Sequence, residues 1–264
     1  MTASPTSPEQ RLITVASGKG GVGKTWFSTT LTHALSRLGE RVLLFDGDLG
    51  MANVDIQLGL VPHYDLGDVI TGALPLREAI TPYAGGADQG GFDVLAGKSG
   101  SGALGALARE RLVALRRELI ATAQHYDRVV LDLAAGVDPS VLILSQHRGT
   151  VFVVMSPDPT SLTDAYAFIK MLIMRLPDVD VRIVINSASS KREGERIFEA
   201  MKRACESFLK ISPPLAGIIK ADNKIRDAIR SQTPLLARHP NSEGGNAVMQ
   251  LARALTQTAE VAPG

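Results

Sequence analysis

The chain has 264 residues, of which 45% are apolar and 21% charged, and its formal net charge at pH 7 is +1. These values are typical of one large globular domain with a sizeable core, and the near-zero charge gives no general attraction for a polyanionic partner. The single cysteine, Cys205, excludes an intramolecular disulfide, a Cys-x-x-Cys redox pair and a cluster site built from cysteines of one chain.

The two ends of the chain are predicted to be tails. The polar opening MTASPTSPEQ predicts a disordered segment over residues 1–10, and residues 260–264 are predicted to form a short second tail, so the folded domain covers residues 11–259. We find no pattern of a signal peptide and no apolar run long enough to span a membrane, so we expect a cytoplasmic protein.

Seven short, continuous apolar runs predict strands that are buried on both faces of a sheet. They cover residues 12–16, 41–46, 92–96, 128–133, 150–155, 181–186 and 215–219. Segments with helical spacing lie between most of these runs, at residues 24–39, 106–124, 161–176, 191–209 and 222–231. Because strand and helix alternate, the sequence predicts an α/β fold with a single doubly wound, mainly parallel sheet flanked by helices.

Two helix ends have features of their own. Ser161 followed by Asp164 predicts a capping box at the start of the helix after the fifth strand. Residues 246–257, NAVMQLARALTQ, place their apolar side chains on one narrow face and include one basic residue. This pattern favours a closing helix on the core over a basic membrane anchor.

Residues 18–25, GKGGVGKT, fit the pattern G-x-x-x-x-G-K-[ST] and lie between a predicted strand and a predicted helix. Glycines in such a loop let the backbone wrap closely around a ligand, and the helix that follows adds the positive end of its dipole. The sequence therefore predicts a site for a polyphosphate. Lys24 is expected to contact its β- and γ-phosphates, and the Thr25 hydroxyl is expected to bind Mg²⁺.

Three aspartates follow predicted strands and are candidates for the chemistry of this site. Asp132 ends the run RVVLD and is followed by small residues, as expected for an acid that orients Mg²⁺ near a γ-phosphate. Asp46 and Asp48 lie in LLFDGDLG, where an aspartate can hold metal-bound water or orient an attacking water. Each of these two could instead cap a turn. The predicted metal site thus consists of Thr25, Asp46 and Asp132.

The second lysine of the loop, Lys19 in KGGVGKT, matches the signature lysine of the deviant Walker A motif, and the chain resembles the MinD/ParA ATPases of the SIMIBI class. Residues 46–60, DGDLGMANVDIQLGL, and 156–170, SPDPTSLTDAYAFIK, resemble the branch of flagellar-number regulators called FlhG, FleN or YlxH. The resemblance runs from about residue 12 to residue 257. It implies an enzyme that hydrolyses ATP with Mg²⁺, dimerises with ATP and dissociates after hydrolysis.

The resemblance also implies roles for individual residues. Lys24 serves the nucleotide of its own subunit, and Lys19 reaches the nucleotide of the partner. Asp48 is the catalytic residue of switch I, Asp132 the Walker B acid, and Asp158 the acidic residue that meets Lys19 across the dimer. The implied nucleotide-binding residues are Gly20, Gly21, Val22, Gly23, Lys24, Thr25, Trp26, Asp158 and Asn186.

Two of these positions leave alternatives open. Asn186, which ends VRIVIN, matches the asparagine that reads adenine, but it could also cap a helix or turn. Trp26 stands where the family usually has a second Ser or Thr near the α-phosphate. Its backbone N–H can still donate, so nucleotide binding is expected to survive. The ring either packs on the sheet at the start of the helix, which we favour, or tunes the nucleotide site.

Other stretches are interpreted by their composition. The basic residues of KADNKIRDAIR (220–230) favour a solvated helix face over a phosphate-facing stripe. Cys205, in EAMKRACESFL, is interpreted as a small buried apolar residue.

The expected function is control of flagellar number or placement through protein partners. We expect an ATP-dependent homodimer, with an FlhF-like GTPase, C-ring components or a transcription regulator as partners, and recruitment to a cell pole. The opening MTASPTSPEQRL lacks the DQAxxLR element of related proteins, and the ending TAEVAPG lacks their amphipathic helix, so membrane binding is expected to be weak or absent. Nucleic acid is not an expected partner. The alternatives are a cargo- or division-site-positioning ATPase that binds DNA or membrane, and a metabolic ATP-dependent kinase or synthetase.

Overall fold

The computed structural model describes residues 7–84, 90–97 and 107–260. Its strands are β1 (Leu12–Ser17), β2 (Val42–Gly47), β3 (Thr81–Tyr83), β4 (Phe92–Leu95), β5 (Arg128–Ala135), β6 (Thr150–Met155), β7 (Asp180–Ala188) and β8 (Leu215–Lys220). They form one sheet in the order β3-β4-β2-β5-β1-β6-β7-β8, in which β3 is antiparallel to β4 and all other neighbours are parallel.

Helices flank both faces of this sheet. They are α1 (Lys24–Arg37), α2 (Val54–Leu58), α3 (Leu66–Thr71), α4 (Arg109–Thr122), α5 (Pro139–Leu144), α6 (Pro159–Ile173), α7 (Lys191–Ala204), α8 (Asn223–Arg230), α9 (Leu235–Arg238) and α10 (Glu243–Glu260). Single turns of 3-10 helix cover Pro8–Arg11, Leu76–Ala79 and Ala123–His125, and a π turn covers Cys205–Leu209.

The predicted fold class is confirmed, because one mainly parallel sheet lies between two layers of helices. All seven predicted apolar runs are strands, and each predicted helical segment contains a helix. The antiparallel edge strand β3 was not predicted, since it has three residues with Pro82 at its centre, a composition typical of edge strands. The sequence also did not predict the short helices α2, α3, α5 and α9, because four to six residues are too few to show a helical period.

The predicted amino-terminal tail is too long. Pro8–Arg11 form a 3-10 turn, and the Arg11 side chain donates to the backbone oxygens of Ala123, Gln124 and Tyr126 at 2.9–3.2 Å. The interpretation of residues 7–10 as disordered is therefore wrong, while residues 1–6 lie outside the described residues.

Two other element ends differ from the sequence prediction. The closing helix α10 is confirmed, but it extends to Glu260, and the rest of the predicted tail lies outside the described residues. Helix α6 begins at Pro159 with Asp158 at its cap position, so the predicted capping box at Ser161 is wrong. The Ser161 hydroxyl instead accepts a hydrogen bond from the Ser156 N–H at 3.0 Å and secures the turn between β6 and α6.

Apolar side chains fill a layer on each side of the sheet. One layer is formed with α1, α8, α9 and α10, and includes the edge-to-face ring pair of Phe27 and Phe152. The other is formed mainly with α4, α5, α6 and α7. Cys205 belongs to this second layer and is fully buried, and burial raises the pKa of its thiol to about 11. Its interpretation as a small buried apolar residue is confirmed.

The carboxyl ends of the parallel strands gather at one edge of the sheet, which is where ligands bind in folds of this type. The loops that follow β1, β2, β5, β7 and β8 all meet there. Within the described ranges, no helix is both long and apolar enough to cross a bilayer.

A neutral histidine is buried beside the central strand. The Nδ1 atom of His147 accepts the Gly149 N–H at 3.0 Å, so the Nε2–H group donates to the Thr14 hydroxyl at 2.8 Å. Burial, together with the charge of Arg116, lowers the pKa of His147 to about 3. The ring therefore stays uncharged in the folded protein over the whole physiological range.

The folded-state pKa of His147 lies below its unfolded value, so its stabilising effect is complete above about pH 6.5 and is lost as the pH falls toward 3. The expected loss is about 1.4 kcal/mol per pH unit below 6.5. In urea unfolding at pH 7, 6 and 5, wild type should lose stability relative to His147→Gln by about 1.4 kcal/mol per pH unit below 6.5, since the opposing titration of the buried Asp46 and Asp132 is common to both proteins. The exposed His125→Gln is the control, and equal slopes in all three proteins would contradict the assignment.

Candidate functional site

A large cleft with a volume of about 1170 Å³ lies at the carboxyl edge of the sheet. Four groups of segments line it: the loop after β1 with the start of α1, the segment between β2 and α2, the turn after β5, and the ends of β7 and β8 with α8. The lining residues are 20–26, 48–53, 57, 134, 135, 138, 140, 186, 187, 221–223, 225, 226 and 229.

The glycines between β1 and α1 fall into two groups. Gly21 and Gly23 have φ values of +76° and +96°, in the left-handed region that favours glycine. At Gly20 and Gly21 an added Cβ would meet no heavy atom within 4 Å, so this backbone is open to a ligand. At Gly18 an added Cβ would overlap the backbone of Asp164 in α6. The first glycine therefore serves the packing of the loop on α6, and the middle glycines serve the cleft.

Lys24 lies at the floor of the cleft with most of its side chain buried. Its Nζ donates to the Ser17 hydroxyl at 3.0 Å, and that hydroxyl donates to the Lys19 carbonyl at 2.7 Å. Burial lowers the pKa of Lys24, while the nearby carboxylates of Asp132 and Asp48 raise it. Because the ammonium group is poorly solvated, an anionic ligand in the cleft would stabilise its charge.

Asp132 is buried beneath the loop, on β5. The Ser28 hydroxyl donates to its Oδ1 at 2.9 Å, and a hydrogen bond from Thr25 also favours its ionised form. Burial nevertheless raises the pKa of Asp132 to about 6, with the charge of Lys24 opposing this shift. The structure thus brings Thr25, Lys24 and Asp132 together, as predicted.

Asp46 is the register partner of Asp132 on the neighbouring strand β2, and it is fully buried. Its Oδ1 accepts the Asp48 N–H at 3.2 Å, and its Oδ2 accepts the Asn53 and Val54 N–H groups, each at 3.0 Å. Burial, and next the charge of Asp132, raise its pKa to about 7. Since three backbone N–H groups occupy its oxygens, this geometry favours an anchor for the segment after β2 over the metal ligand predicted from sequence.

Asp48 caps a turn and also lies at the cleft. Its Oδ1 accepts the N–H groups of Gly50 and Met51 at 3.2 and 2.9 Å, so it caps a turn. It also lines the cleft, opposite the loop that holds Lys24.

Asn186 and Trp26 meet behind the loop. The Asn186 Nδ2 donates to the Val22 carbonyl at 2.7 Å, and its Oδ1 is buried without a hydrogen-bond partner in the described structure. Trp26 is also buried, and its ring packs edge-to-face on Phe27. An added Cβ at Gly23 would fall on both the Asn186 amide and the Trp26 indole nitrogen. Trp26 thus lies at the wall of the cleft against the loop, and it also belongs to the apolar layer that covers this face of the sheet.

Lys19 points away from this cleft. Its Nζ donates to the Thr160 hydroxyl at 2.8 Å and lies 3.9 Å from the Asp158 carboxylate, with 40% of the lysine side chain exposed. Asp158 in turn accepts from the Ser156 hydroxyl at 3.0 Å. Within one chain, therefore, Lys19 lies against the start of α6, and neither Lys19 nor Asp158 lines the cleft.

Sequence reasoning missed several residues of the site. Ser17 and Ser28 hold Lys24 and Asp132, and the only signal available was their position one residue before the motif and three residues after it. Four residues of α8 line the cleft, which the sequence did not indicate: Asn223, Ile225, Arg226 and Ile229. The basic side chains of this stretch are exposed, as the interpretation of a solvated face expects. Ser187 also lines the cleft and has a left-handed φ of +60°, which no sequence pattern indicates.

Comparison with known proteins agrees with this arrangement. A sequence profile described as "CobQ/CobB/MinD/ParA nucleotide binding domain" matches residues 13–235. The chain belongs to this family. It is 35% identical to the antiactivator FleN of Pseudomonas aeruginosa, over 92% of this chain and 85% of that protein. It is 28% identical to the flagellum site-determining protein YlxH of Helicobacter pylori, over 95% of this chain and 83% of that protein.

Solved structures of the family share the fold. The cell division ATPase MinD of Pyrococcus furiosus aligns with a TM-score of 0.78 and 25% identity, over 94% of this chain and 99% of that one. The septum site-determining protein MinD of Pyrococcus horikoshii, complexed with Mg-ADP, aligns with a TM-score of 0.77 and 24% identity, over 95% of this chain and 98% of that one. The recognition of the MinD/ParA family from sequence is therefore confirmed.

In this MinD/ParA-family chain, two glycines with the same backbone conformation provide a matched test of the loop. Gly23 has φ +96° and Gly39, in the turn after α1, has φ +92°, but an added Cβ meets nothing within 4 Å at Gly39. Each change to alanine should lower the free energy of unfolding by about 1–3 kcal/mol through backbone strain. Gly23→Ala should cost more, and it alone should shift the emission of Trp26. An unchanged Trp26 spectrum in Gly23→Ala would contradict the described packing.

The raised pKa of Asp132 gives a second prediction. Because its folded-state pKa lies above the unfolded value, the stability that it contributes is lost as the pH rises through about 6. Without ligand, Asp132→Asn should be more stable than wild type by about 1–3 kcal/mol at pH 8, with little difference at pH 4. Urea unfolding at the two pH values measures this, with the exposed Asp158→Asn as control. A gain of the same size at both pH values would show that the charge is not its cause.

Proposed function

We propose that this protein is a MinD/ParA-type ATPase that binds ATP with Mg²⁺, dimerises face to face across two nucleotides and dissociates after hydrolysis. The placement of the two loop lysines supports this most directly. Lys24 is buried at the floor of its own cleft, whereas Lys19 lies outside that cleft and is exposed. A lysine so placed serves a nucleotide bound to a second copy of the chain better than one bound to its own.

The cleft suits ATP as the substrate. The open backbone at Gly20 and Gly21, with Lys24 beside it, fits the phosphates, and the backbone N–H of Trp26 follows at the α-phosphate. The buried Oδ1 of Asn186 lacks a donor and is suited to accept the exocyclic amino group of adenine. Guanine has an oxygen at that position, so we expect a preference for ATP over GTP.

The residues around Thr25 suit a magnesium ion. The Thr25 hydroxyl and the Asp132 carboxylate would hold the ion, with Ser28 orienting the carboxylate. When bound, Mg²⁺ would supply positive charge that neutralises the phosphates. In this proposal Asp46 acts as the anchor of the segment after β2, and its role at the metal is indirect.

Hydrolysis is assigned to Asp48 and to the Lys19 of a second copy. With Oδ1 of Asp48 occupied by two N–H groups, Oδ2 is the oxygen suited to orient an attacking water in the cleft. A lysine from the facing subunit would stabilise the charge that develops on the transferred phosphoryl group, as other cations supplied across an interface do.

The rim of the cleft suits a dimer interface. Met51 and Val137, on two of the lining segments or next to them, are 73% and 40% exposed although they are apolar. Apolar side chains around a polar cleft are typical of docking surfaces. To cross the interface, Lys19 must leave Thr160, and we propose that it then meets the Asp158 of the partner. Such exposed contacts stabilise by only about 0–1 kcal/mol, so replacing the contact within one chain by a contact between chains costs little free energy.

We further propose that the switch controls flagellar number or placement, which rests on the similarity to FleN and YlxH. The word antiactivator in the name of FleN supports a transcription regulator as one partner, beside an FlhF-like GTPase or C-ring components. The site of action is the cytoplasm, with recruitment to a cell pole.

Molar mass in solution tests the switch. Wild type, Asp48→Ala and Asp48→Asn are compared by size-exclusion chromatography with light scattering, in ADP, ATP or GTP with Mg²⁺. Asp48→Asn is the matched variant, because its amide oxygen can still cap the turn. Both variants should be monomeric with ADP and stably dimeric with ATP, with less dimer in GTP, and the double change Lys19→Ala with Asp48→Asn should stay monomeric.

Trp26 is the only tryptophan, and its fluorescence reports nucleotide binding independently of mass. If all variants bind ATP by this measure and remain monomeric, the dimer switch is wrong and a metabolic kinase or synthetase becomes the better hypothesis. A salt-sensitive shift of DNA would instead favour a cargo-positioning ATPase.

A further inference from the structure

The two long walls of the cleft are joined by one side chain that the proposed chemistry does not use. The segment with Asp48 and α2 forms one wall, and α8 forms the other. Gln232, two residues beyond the end of α8, donates its Nε2 to the Ile56 carbonyl of α2 at 3.0 Å. We propose that Gln232 is a positioning residue for Asp48, and the kinetic part of this inference rests on the proposed ATP hydrolysis.

The segment that contains Asp48 is held at both ends. At the start of α2, the buried Asp46 carboxylate accepts the Asn53 and Val54 N–H groups. At the end of α2, the Ile56 carbonyl accepts Gln232 and, at a longer 3.3 Å, the Gly59 N–H. Without the Gln232 amide, the carboxyl end of α2 keeps its own short turn and the packing of the buried Leu58. A five-residue helix has little stability by itself, so its position depends on such contacts.

Gln232 occupies a backbone conformation that glycine would adopt more easily. Its φ is +50°, and the turn around it is closed by hydrogen bonds from the Gln232 N–H to the Ile229 carbonyl and from the Thr233 N–H to the Ala228 carbonyl, each at 3.1 Å. Glycine is the usual residue where a helix ends in this way. A glutamine is strained in this backbone conformation, and the hydrogen bond of its side chain explains why a glutamine occupies this position.

Apolar packing joins the two walls as well, but it leaves a small cavity between them. A void of about 20 Å³ lies between α1, α2 and α8, and its lining includes Trp26, Gln57 and Ile229, all of which also line the cleft. The ideal Cβ position of Gly59 lies 3.4 Å from the Gln232 Cβ, so the glutamine stem packs close to the end of α2. The directional contact between the walls is therefore the amide of Gln232.

This arrangement couples the end of the cleft where the nucleotide base is proposed to bind to the end where hydrolysis is proposed to occur. Ile225, Arg226 and Ile229 of α8 line the same cleft as Asn186, and Gln232 lies three residues after Ile229 in the chain. A nucleotide base that orders α8 would thereby also order α2 and the position of Asp48. Binding at the phosphate loop does not need this contact, so its loss should affect turnover more than binding.

Three substitutions of Gln232 separate the hydrogen bond from the backbone. Gln232→Glu keeps length and lacks the N–H donor, Gln232→Gly removes the side chain and relieves the left-handed backbone, and Gln232→Asn keeps an amide that is one methylene too short. Lys210→Gly is the matched control, because Lys210 also has a left-handed φ, of +59°, at the end of the π turn and away from the cleft.

The first readout is hydrogen exchange of residues 53–60 without nucleotide. Exchange there should be about threefold to tenfold faster in Gln232→Glu and Gln232→Gly than in wild type and Lys210→Gly, as expected for loss of one exposed hydrogen bond. In Gln232→Gly this should occur without loss of global stability. Unchanged exchange in both variants overturns the proposal whether or not the protein hydrolyses ATP.

The second readout is steady-state ATP hydrolysis together with nucleotide affinity from Trp26 fluorescence. The kcat of all three Gln232 variants should fall about threefold to tenfold, with the Kd for ADP within about twofold of wild type. Faster exchange with an unchanged kcat, or a loss confined to KM, overturns the positioning role. Absence of hydrolysis in wild type would refute the proposed function instead, and the exchange data would still decide on the contact.

Discussion

Two carboxyl groups buried side by side in the sheet are the constraint on which the rest of the site depends. Asp46 and Asp132 are register partners on β2 and β5, and burial raises the pKa of both. The fold compensates their burial by different means. Asp46 receives backbone N–H groups of the next segment, and Asp132 receives hydroxyl groups of α1 together with the charge of Lys24. Because the groups that stabilise each carboxyl group belong to segments that line the cleft, the same interactions also determine the shape of the cleft.

The same burial makes the charged forms of the groups in the cleft unfavourable. Burial lowers the pKa of Lys24 while the two carboxyl groups have raised values, so each charged form is disfavoured where it stands. Bringing phosphate to the lysine and a divalent cation to Asp132 would relieve both at once. Because a bound ligand would stabilise these charged groups, its binding would favour the conformation that brings them together, as a switch requires.

The sequence predicted the sheet, its long helices and the residues of the phosphate loop, because these depend on local signals: apolar runs, helical spacing and a motif with fixed distances. It could not predict which side chains hold those residues. Ser17 and Ser28 have no distinctive pattern, and the direction of Lys19 toward Thr160 depends on the approach of α6 to Gly18. Asp46 matched the pattern of a metal ligand, but its three N–H donors come from a segment whose path is visible only in three dimensions. The same holds for α8, where composition indicated the exposed basic face but not the residues that line the cleft.

The buried Cys205 has a practical consequence for work on conformational change. It is the only cysteine of the chain, its side chain is inaccessible, and burial raises the pKa of its thiol to about 11, so at neutral pH it is a poor nucleophile toward alkylating reagents. A cysteine introduced on the surface would therefore be labelled selectively without removal of the native one. Distances between spin labels or fluorophores can then be recorded in an otherwise unaltered protein, with its hydrophobic layer intact.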